Sequence, residues 1–326
     1  MANHADKILN DVDVVISDCV LRDGLQILKN LVVSLEDKKA ILRLLFESGI
    51  RNIEITSMVP PKLVPQFADA GDMIRYADEL GVLLPTVLSP NLKGVERAIE
   101  YGARSVVLPL SVSETHSQKN IRKSRIEALE ELARVRVLID QQPLAKRPLL
   151  AAGISTAFGC SYEGKIDEDQ VFWMVDECQK IGVDELGLAD TVGYAVPKQI
   201  TSAFRRLQNV INPEIKIRAH FHDTFGFGLA NTMAALEQNV KYFDASLCGL
   251  GGCPFAPNAT GNITLEDLVF LMQKSGVKTG IDLDKLLSGQ QLLRSILPDQ
   301  QLYGVVNRAG KYPADFPSEN IFETTQ

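Results

Sequence analysis

The sequence lacks any apolar run that approaches the ~20 residues of a membrane span. It also lacks an excess of basic residues, because the formal net charge is -7 and the isoelectric point is near 5.3. A mildly acidic surface argues against nucleic acid or an anionic membrane as the main partner. An anionic ligand must therefore be held by local basic groups rather than by the overall field.

Cysteine is scarce as well. The five cysteines are an odd number, and their spacing is that of neither a zinc finger nor a disulfide scaffold. Such usage is typical of a reducing cytoplasm. The first fifteen residues carry Asp6, Asp11 and Asp13 and no apolar segment, so we expect neither a secretory signal nor a transit peptide. The sequence thus predicts a cytoplasmic protein.

What the sequence does contain is a regular alternation of short β-branched runs and longer segments of helical period. Eight strand–helix units predict a parallel sheet, and eight is the number that closes a (β/α)8 TIM barrel. The strands lack a period of two, as expected when both faces are buried. A doubly wound open sheet is the competing architecture. The strands are predicted at 13–18, 52–57, 83–88, 105–110, 149–154, 184–189, 215–221 and 242–247. The helices are predicted at 35–48, 62–80, 92–101, 120–140, 167–181, 197–208, 227–239 and 264–274.

The chain continues beyond the eighth unit. We predict a catalytic barrel over residues 1–280 and a C-terminal extension over 281–326, which begins with the helical pattern LDKLLSGQQLLRSIL. This helical extension either packs on the barrel or contributes to a partner interface. We expect a homo-oligomer.

Two of only four histidines, His220 and His222, stand at the end of the seventh predicted strand. Residues i and i+2 on a strand point to the same face, so both imidazoles project together. At the C-terminal end of a barrel they would lie where barrel active sites are built. Neutral imidazole is a common metal ligand. A pair of hydrogen-bonded structural histidines is the alternative.

The first predicted strand is followed by Arg22, Asp23 and Gly24. Asp23 could complete a metal site with the two histidines. Arg22 is a fixed cation that could stabilise a developing enolate or carboxylate oxygen, or simply anchor a loop.

Glu54 is a carboxylate inside an apolar strand, which is unlikely without partners. It either orients Arg22 or forms a structural ion pair. Asp190 follows the sixth predicted strand in a similar position. After the eighth strand, three glycines precede Cys253, so this loop could close over a ligand and present the thiol, although a loop cysteine is more often inert. Asn262 could offer a carbonyl oxygen to a hard cation.

Taken together, these motifs resemble the metal-dependent lyase and aldolase barrels that include 3-hydroxy-3-methylglutaryl-CoA lyase. The similarity runs from about residue 14 to 275 and is strongest for the lyase branch. The matching segments are RDGLQ at 22–26, IEITS at 53–57, PKLVPQ at 61–66, FGCSYEGKI at 158–166, HFHDTFGFGLA at 220–230 and GLGGCPFAPNATGN at 249–262.

The resemblance implies a ligand set and a reaction. The metal ligands would be Asp23, His220, His222 and Asn262, with Mg or Mn as the cation. Arg22 would stabilise an enolate, and Cys253 would take part in proton transfer, with Glu54 and Asp190 supporting the site. The base that such a cleavage needs would be His220 or, as the alternative, Asp23. The reaction would be retro-Claisen cleavage of 3-hydroxy-3-methylglutaryl-CoA, or of a close 3-hydroxy acyl-CoA, in leucine degradation. The products from the methylglutaryl thioester would be acetyl-CoA and acetoacetate.

The segment 111–120 resembles the loop that meets the CoA chain, so Ser113, Asn120 and Lys29 are implied as CoA contacts, with His116 near the ligand. One departure concerns the residues after RDGLQ, where the family usually has Asn-Glu-Lys and this chain has Ile27, Leu28 and Lys29. The two apolar residues predict a larger C3 substituent, unless they only replace packing. A different 3-hydroxy acyl-CoA or a free hydroxy-oxo acid is the alternative substrate.

Overall fold

A computed structural model describes residues 8–28, 31–252 and 261–311 of the protein. Eight parallel strands form a closed barrel in chain order, and β8 pairs with β1. This confirms the predicted TIM barrel and excludes the doubly wound sheet. The strands are β1 (Val15–Asp18), β2 (Asn52–Ser57), β3 (Leu84–Leu88), β4 (Ser105–Ser111), β5 (Leu149–Ser155), β6 (Glu185–Asp190), β7 (Lys216–Phe221) and β8 (Tyr242–Ala245).

Helices follow the strands, and none in the described part of the chain is long and apolar enough to cross a bilayer. The helices after the strands span Leu35–Glu47, Ala70–Leu80, Leu92–Glu100, Glu114–Ile121, Arg125–Asp140, Glu168–Ile181, Pro197–Val210, Gly228–Leu236 and Leu265–Lys274.

Two helices differ most from their predicted bounds. The helix predicted at 62–80 begins only at Ala70, after a short 3-10 turn at Pro65–Phe67, because proline lacks the N–H that an interior helical position needs. The helix predicted at 120–140 is instead the second of two. Arg122 ends the first with a φ of 57°, and Ser124 starts the second with a capping box.

The described part of the C-terminal extension is helical, at Leu283–Leu287, Gly289–Ile296 and Val305–Ala309. Lys285 forms an ion pair with Glu47 of the first helix at 2.6 Å. The Asp267 carboxylate accepts two backbone N–H groups from the start of the last helix, each at 2.8 Å. These contacts join the first and the last described helices of the extension to the barrel. A domain boundary at residue 280 stays a prediction.

The two ends of the barrel interior differ. At the N-terminal end, Ile8, Val15, Leu84 and Tyr242 form a small buried apolar cluster of their own. At the C-terminal end, the strands open into the cavity described below. Polar side chains that follow the strands therefore meet at one open mouth.

Candidate active site

Asp23, His220 and His222 converge at the open end of the barrel. Asp23 lies in a π-helical turn, Val20–Gly24, directly after β1. His220 lies near the end of β7, and His222 follows the strand. One ligand atom of each residue lies within 4.8 Å of the others. Sequence reasoning had placed these three side chains together, and the structure does so.

The donor set fits a cation. The Nε2 atoms of His220 and His222 face each other at 3.2 Å, where two lone pairs would repel unless a proton or a cation lies between them. Asn262 donates from Nδ2 to Asp23 at 2.7 Å. Its Oδ1 is buried and has no hydrogen-bond partner among the described residues. A buried acceptor without a partner is costly, and a nearby cation would satisfy it.

Behind His220 lies a chain of ionic contacts that sequence reasoning missed. Asp244 accepts a hydrogen bond from His220 Nδ1 at 3.1 Å. Its other oxygen accepts one from Arg218 at 2.7 Å. Arg218 also donates to both carboxylate oxygens of Glu185, at 2.5 and 3.1 Å. Because Nδ1 donates to Asp244, the lone pair of His220 lies on Nε2, which faces Asp23 and His222, where a metal ion could be held.

A sequence signal for this chain of contacts did exist. Arg218 stands two residues before His220, so both side chains share one face of β7. Asp244 is a carboxylate within an apolar strand, the same signal that drew attention to Glu54. The missing information was the register that sets His220 opposite Asp244.

Arg22 is held between two carboxylates. One guanidinium nitrogen lies 2.5 Å from Asp23, and another lies 2.8 Å from Glu54. Glu54 is therefore an ion-pair partner of Arg22, and this contact is compatible with both alternatives for Glu54. Arg22 Nε and Glu54 Oε1 are buried without hydrogen-bond partners among the described residues, so polar groups remain available on both side chains.

The charges of the site shift one another's pKa values in opposite directions. Burial raises the pKa of Asp23, but Arg22 and the two histidines lower it by more than that. The pKa of Asp23 therefore lies below its usual range. For Glu54, burial outweighs Arg22 and the pKa is raised. Burial lowers the pKa of His220, but the hydrogen bond and charge of Asp244 more than offset this and raise it. Asp23 is thus ready to serve as an anionic ligand.

A cavity of about 540 Å³ lies at this mouth, within the usual range for small-molecule sites. Its lining includes Arg22, Asp23, Glu54 and both histidines. Three residues from the predicted CoA loop, His116, Lys119 and Asn120, also line it.

Ser113 from the same loop is not part of the lining. It is fully buried and caps the helix Glu114–Ile121, accepting the backbone N–H of His116 at 3.0 Å. The structure thus brings Asn120 to the cavity and gives Ser113 a capping contact instead.

Asp190 is also fully buried and lies outside the cavity lining. Its carboxylate accepts the backbone N–H groups of Tyr194 and Ala195, each at 3.0 Å. Burial raises its pKa to about 6, against the effect of these hydrogen bonds. Asp190 therefore holds the loop after β6 rather than facing the cavity.

Two predicted site residues, Lys29 and Cys253, lie outside the described residues. Ile27 and Leu28, the apolar departure, do not line the cavity. Leu28 is buried in the main core, and Ile27 packs against that core. Of the two alternatives for this pair, the structure favours replaced packing, because the chain after the π-helical turn directs both side chains into the core.

Known proteins of similar sequence include hydroxymethylglutaryl-CoA lyases. A hydroxymethylglutaryl-CoA lyase of Bacillus subtilis is 38% identical over 84% of this chain and 90% of its own length. A 3-hydroxy-3-isohexenylglutaryl-CoA/hydroxymethylglutaryl-CoA lyase of Pseudomonas aeruginosa is 36% identical over 85% of this chain and 90% of its own.

Among solved structures, an HMG-CoA lyase from Acinetobacter baumannii, in complex with coenzyme A and 3-methylmalate, superposes with a TM-score of 0.87 and 35% identity. The match covers 95% of this chain and 98% of that chain. These relatives confirm the predicted class, a carbon–carbon lyase. The HMGL-like family model matches residues 13–293, and the chain therefore belongs to the HMGL-like family.

Proposed function

We propose that this protein cleaves 3-hydroxy-3-methylglutaryl-CoA, or a close 3-hydroxy acyl-CoA, to acetyl-CoA and acetoacetate with the help of a divalent cation. The observation that carries the proposal is the convergence of Asp23, His220 and His222 beside Arg22 in one cavity. The relatives' activities support the substrate class.

Asp23, His220 and His222 would hold the cation, and the orphaned Oδ1 of Asn262 would add an oxygen ligand. Mixed nitrogen and oxygen donors suit Mg or Mn. When bound, such a cation supplies Lewis acidity that lowers the pKa of a coordinated hydroxyl and orients the substrate. The remaining steps belong to the protein's own side chains.

Cleavage requires that the C3 hydroxyl lose its proton while the C2–C3 bond breaks. We assign the proton acceptor to His220, with Asp23 as the alternative. Asp244 supports His220 because it accepts a hydrogen bond from Nδ1–H and stabilises the imidazolium. The single lone pair of Nε2 would either bind the cation or accept the proton, so His220 cannot fill both roles at the same moment.

Charge then collects on the thioester oxygen of the departing enolate. Arg22 is fixed by Asp23 and Glu54, so its planar fork needs no reorganisation to meet that oxygen. Cys253 would help to protonate the enolate to acetyl-CoA. The described chain enters the loop of Cys253 beside the site, because the Gly252 N–H lies 3.3 Å from Asp23.

For the CoA arm we propose contacts with Lys29 and Asn120, and Ser113 would position Asn120 because it caps the helix Glu114–Ile121. Asn120 is flanked by Lys119 and Arg122, which also line the cavity. These two cations supply the local positive charge that an anionic cofactor arm needs in an acidic protein. Asp190 would support the site indirectly, because its carboxylate holds the loop after β6. A cytoplasmic location, a homo-oligomeric state and a place in leucine degradation stay predictions.

The test is a panel of 3-hydroxy acyl-CoA thioesters assayed with chelator-treated protein and with added Mg or Mn. We expect acetyl-CoA release only with added cation, and acetoacetate as the second product from the methylglutaryl thioester. Full activity after chelator dialysis would contradict the cation site. A preference for free 3-hydroxy-3-methylglutarate or a free hydroxy-oxo acid over every thioester would favour an aldolase instead.

A further inference from the structure

The inward positions of β5 and β6 carry almost no side chain. This holds for the middle positions, Ala151 and Gly153 on β5 and Gly187 and Ala189 on β6, which all line the cavity, whereas Glu185 lies at its bottom and Ser155 near its mouth. In filled barrels the inward positions carry bulky branched residues that pack in layers. This part of the barrel is therefore open rather than filled.

The exposure pattern along these strands shows the same opening. Ile154, Leu186 and Leu188 face the helices and are fully buried. The intervening Gly153 and Gly187 are partly exposed, although both strands that carry them are paired on both sides in the closed barrel. Their exposure is to the cavity, which thus continues below the mouth and into the barrel.

There is room for additional atoms at both glycines. A methyl group built on Gly187 would meet its nearest neighbour, Cβ of Arg218, at 3.8 Å. On Gly153 it would meet a methyl of Val107 at 3.5 Å. Both are ordinary van der Waals distances, so larger side chains here would occupy cavity space before they strained the backbone.

The open space lies directly below the reacting groups. In the barrel register Ala189 lies opposite His220, and Gly187 lies one layer lower, opposite Arg218. A group that points down the barrel from a substrate carbon beside His220 therefore passes Ala189 and then Gly187. Val107 and Pro109 of β4 add apolar surface to the same side.

The charge at the bottom of this space selects against an anion. Arg218 is already engaged by Glu185 and Asp244 at 2.5 and 2.7 Å, so its positive charge is neutralised by two carboxylates. A third carboxylate at this depth would lose hydration and meet net negative charge. A neutral hydrocarbon group has no such cost.

We propose that this space, called the C3 chamber and lined by Val107, Pro109, Ala151, Gly153, Gly187 and Ala189, receives a neutral alkyl or alkenyl substituent larger than methyl at C3 of the substrate. The inference rests on the proposed cleavage of 3-hydroxy acyl-CoA thioesters and specifies their C3 group. Selectivity would then be set by β4–β6 and not by the loop after β1.

The first experiment compares kcat/KM for thioesters of 3-hydroxy-3-methylglutarate and of its C3-propyl and C3-hexyl analogues. We expect the wild-type enzyme to cleave the hexyl analogue at least as efficiently as the methyl one. A graded series, Gly187→Ala and then Gly187→Val, should lower kcat/KM for the hexyl analogue progressively, by on the order of 10–200-fold for valine. The methyl substrate should stay within about threefold.

Val137→Ile serves as the control variant, because Val137 is exposed on the helix Arg125–Asp140, outside the cavity lining. It should leave the hexyl-to-methyl ratio unchanged. Thermal unfolding shows whether each variant is folded. Should Gly187→Val fail to fold, Gly187→Ala and Gly153→Ala decide the question with a smaller expected effect.

A binding measurement separates this inference from the proposed reaction. Unreactive 3-alkylglutaryl-CoA analogues without the C3 hydroxyl are titrated calorimetrically into the wild-type enzyme and Gly187→Val. Tighter hexyl binding that valine abolishes supports the chamber, even if no thioester is cleaved and the proposed reaction fails. Cleavage of the methyl substrate with no hexyl binding or turnover overturns the chamber alone. Absence of binding and cleavage for every thioester overturns both.

Discussion

The two halves of the barrel interior differ in chemistry. On the side of β7, β8, β1 and β2, charged groups face the cavity, among them Arg22, Glu54, Arg218 and Asp244. On the side of β4, β5 and β6, the lining is small or apolar apart from Glu185 at the bottom and the polar Ser155 near the mouth. The comparison indicates that one half performs the chemistry and the other provides room. Rate and substrate choice should therefore respond to different substitutions.

The charged half is stabilised by pairing. Arg22 lies between two carboxylates, and Arg218 lies between Glu185 and Asp244. A buried charge that loses its partner destabilises a protein by several kcal/mol, about 3–5 in measured cases. Substitutions in this half must therefore be isosteric where possible, with folding measured alongside activity.

The largest effect is expected for Arg22→Met. Removal of one preorganised donor to a developing oxyanion typically costs on the order of 10²–10³ in kcat. Arg22→Lys keeps the charge but loses the planar fork, so it should also be severely impaired. The measurement is kcat on the methylglutaryl thioester, with cation content determined in parallel.

Arg43→Met is the matched control for this substitution, because Arg43 is exposed on the first helix. It should retain wild-type kcat. If Arg22→Met kept more than about half of the wild-type kcat while folded and loaded with cation, Arg22 would have no part in stabilising the enolate.

A second prediction concerns Asp244→Asn, which acts through His220. Asparagine can present its NH₂ group to Nδ1, and His220 then loses the acceptor that fixes its tautomer. Loss of such a supporting partner weakens metal affinity by about 10–100-fold in known sites. The measurement is the Kd of Mn, by calorimetry, in the absence of substrate.

Asp223→Asn removes the same charge at the mouth without touching His220, since Asp223 bonds the backbone of Gly228. Its Kd for Mn should stay within about twofold of wild type. Equal Kd values for Asp244→Asn and the wild type would show that Asp244 is only a structural partner of Arg218.

The sequence predicted the fold well, because β-branched runs bounded by helical segments place each strand within about two residues. It also placed Asp23, His220 and His222 together, since strand alternation and strand ends are local properties. The contact of His220 with Asp244 depends on the register between two strands, which the local signals at these two residues do not give. The C3 chamber depends on which of the small residues face inward, and this follows only from barrel closure.

The third prediction compares His220 and His116, two of the three histidines that line the cavity. Asp244 raises the pKa of His220, whereas burial lowers that of His116 from 6.5 to about 4. The unfolded chain takes up a proton on His116 near pH 6.5, whereas the folded chain takes it up only near pH 4. The free energy of unfolding is therefore highest above pH 6.5 and falls between pH 6.5 and pH 4. The shift corresponds to about 2 kcal/mol between pH 7 and pH 5.

The measurement is the free energy of unfolding of wild type and His116→Gln by denaturant titration at both pH values. The wild type should lose about 2 kcal/mol more than the variant on acidification. The difference between the two proteins isolates His116, since every other titrating group is shared. Parallel losses would mean that His116 is protonated in the folded protein.

The smallest effect is expected for Ile27→Asn, in the loop where sequence reasoning had placed selectivity. Ile27 packs against the core and is not part of the cavity lining. We therefore expect the ratio of kcat/KM for hexyl and methyl substrates to stay within about twofold of wild type, while unfolding free energy falls by roughly 1–2 kcal/mol. Leu28→Glu is avoided because Leu28 is buried and the new carboxylate would have no identified partner. A change in the ratio as large as that expected for Gly187→Val would return selectivity to this loop. A lower stability with an unchanged ratio would leave substrate choice with the half of the barrel that provides the room.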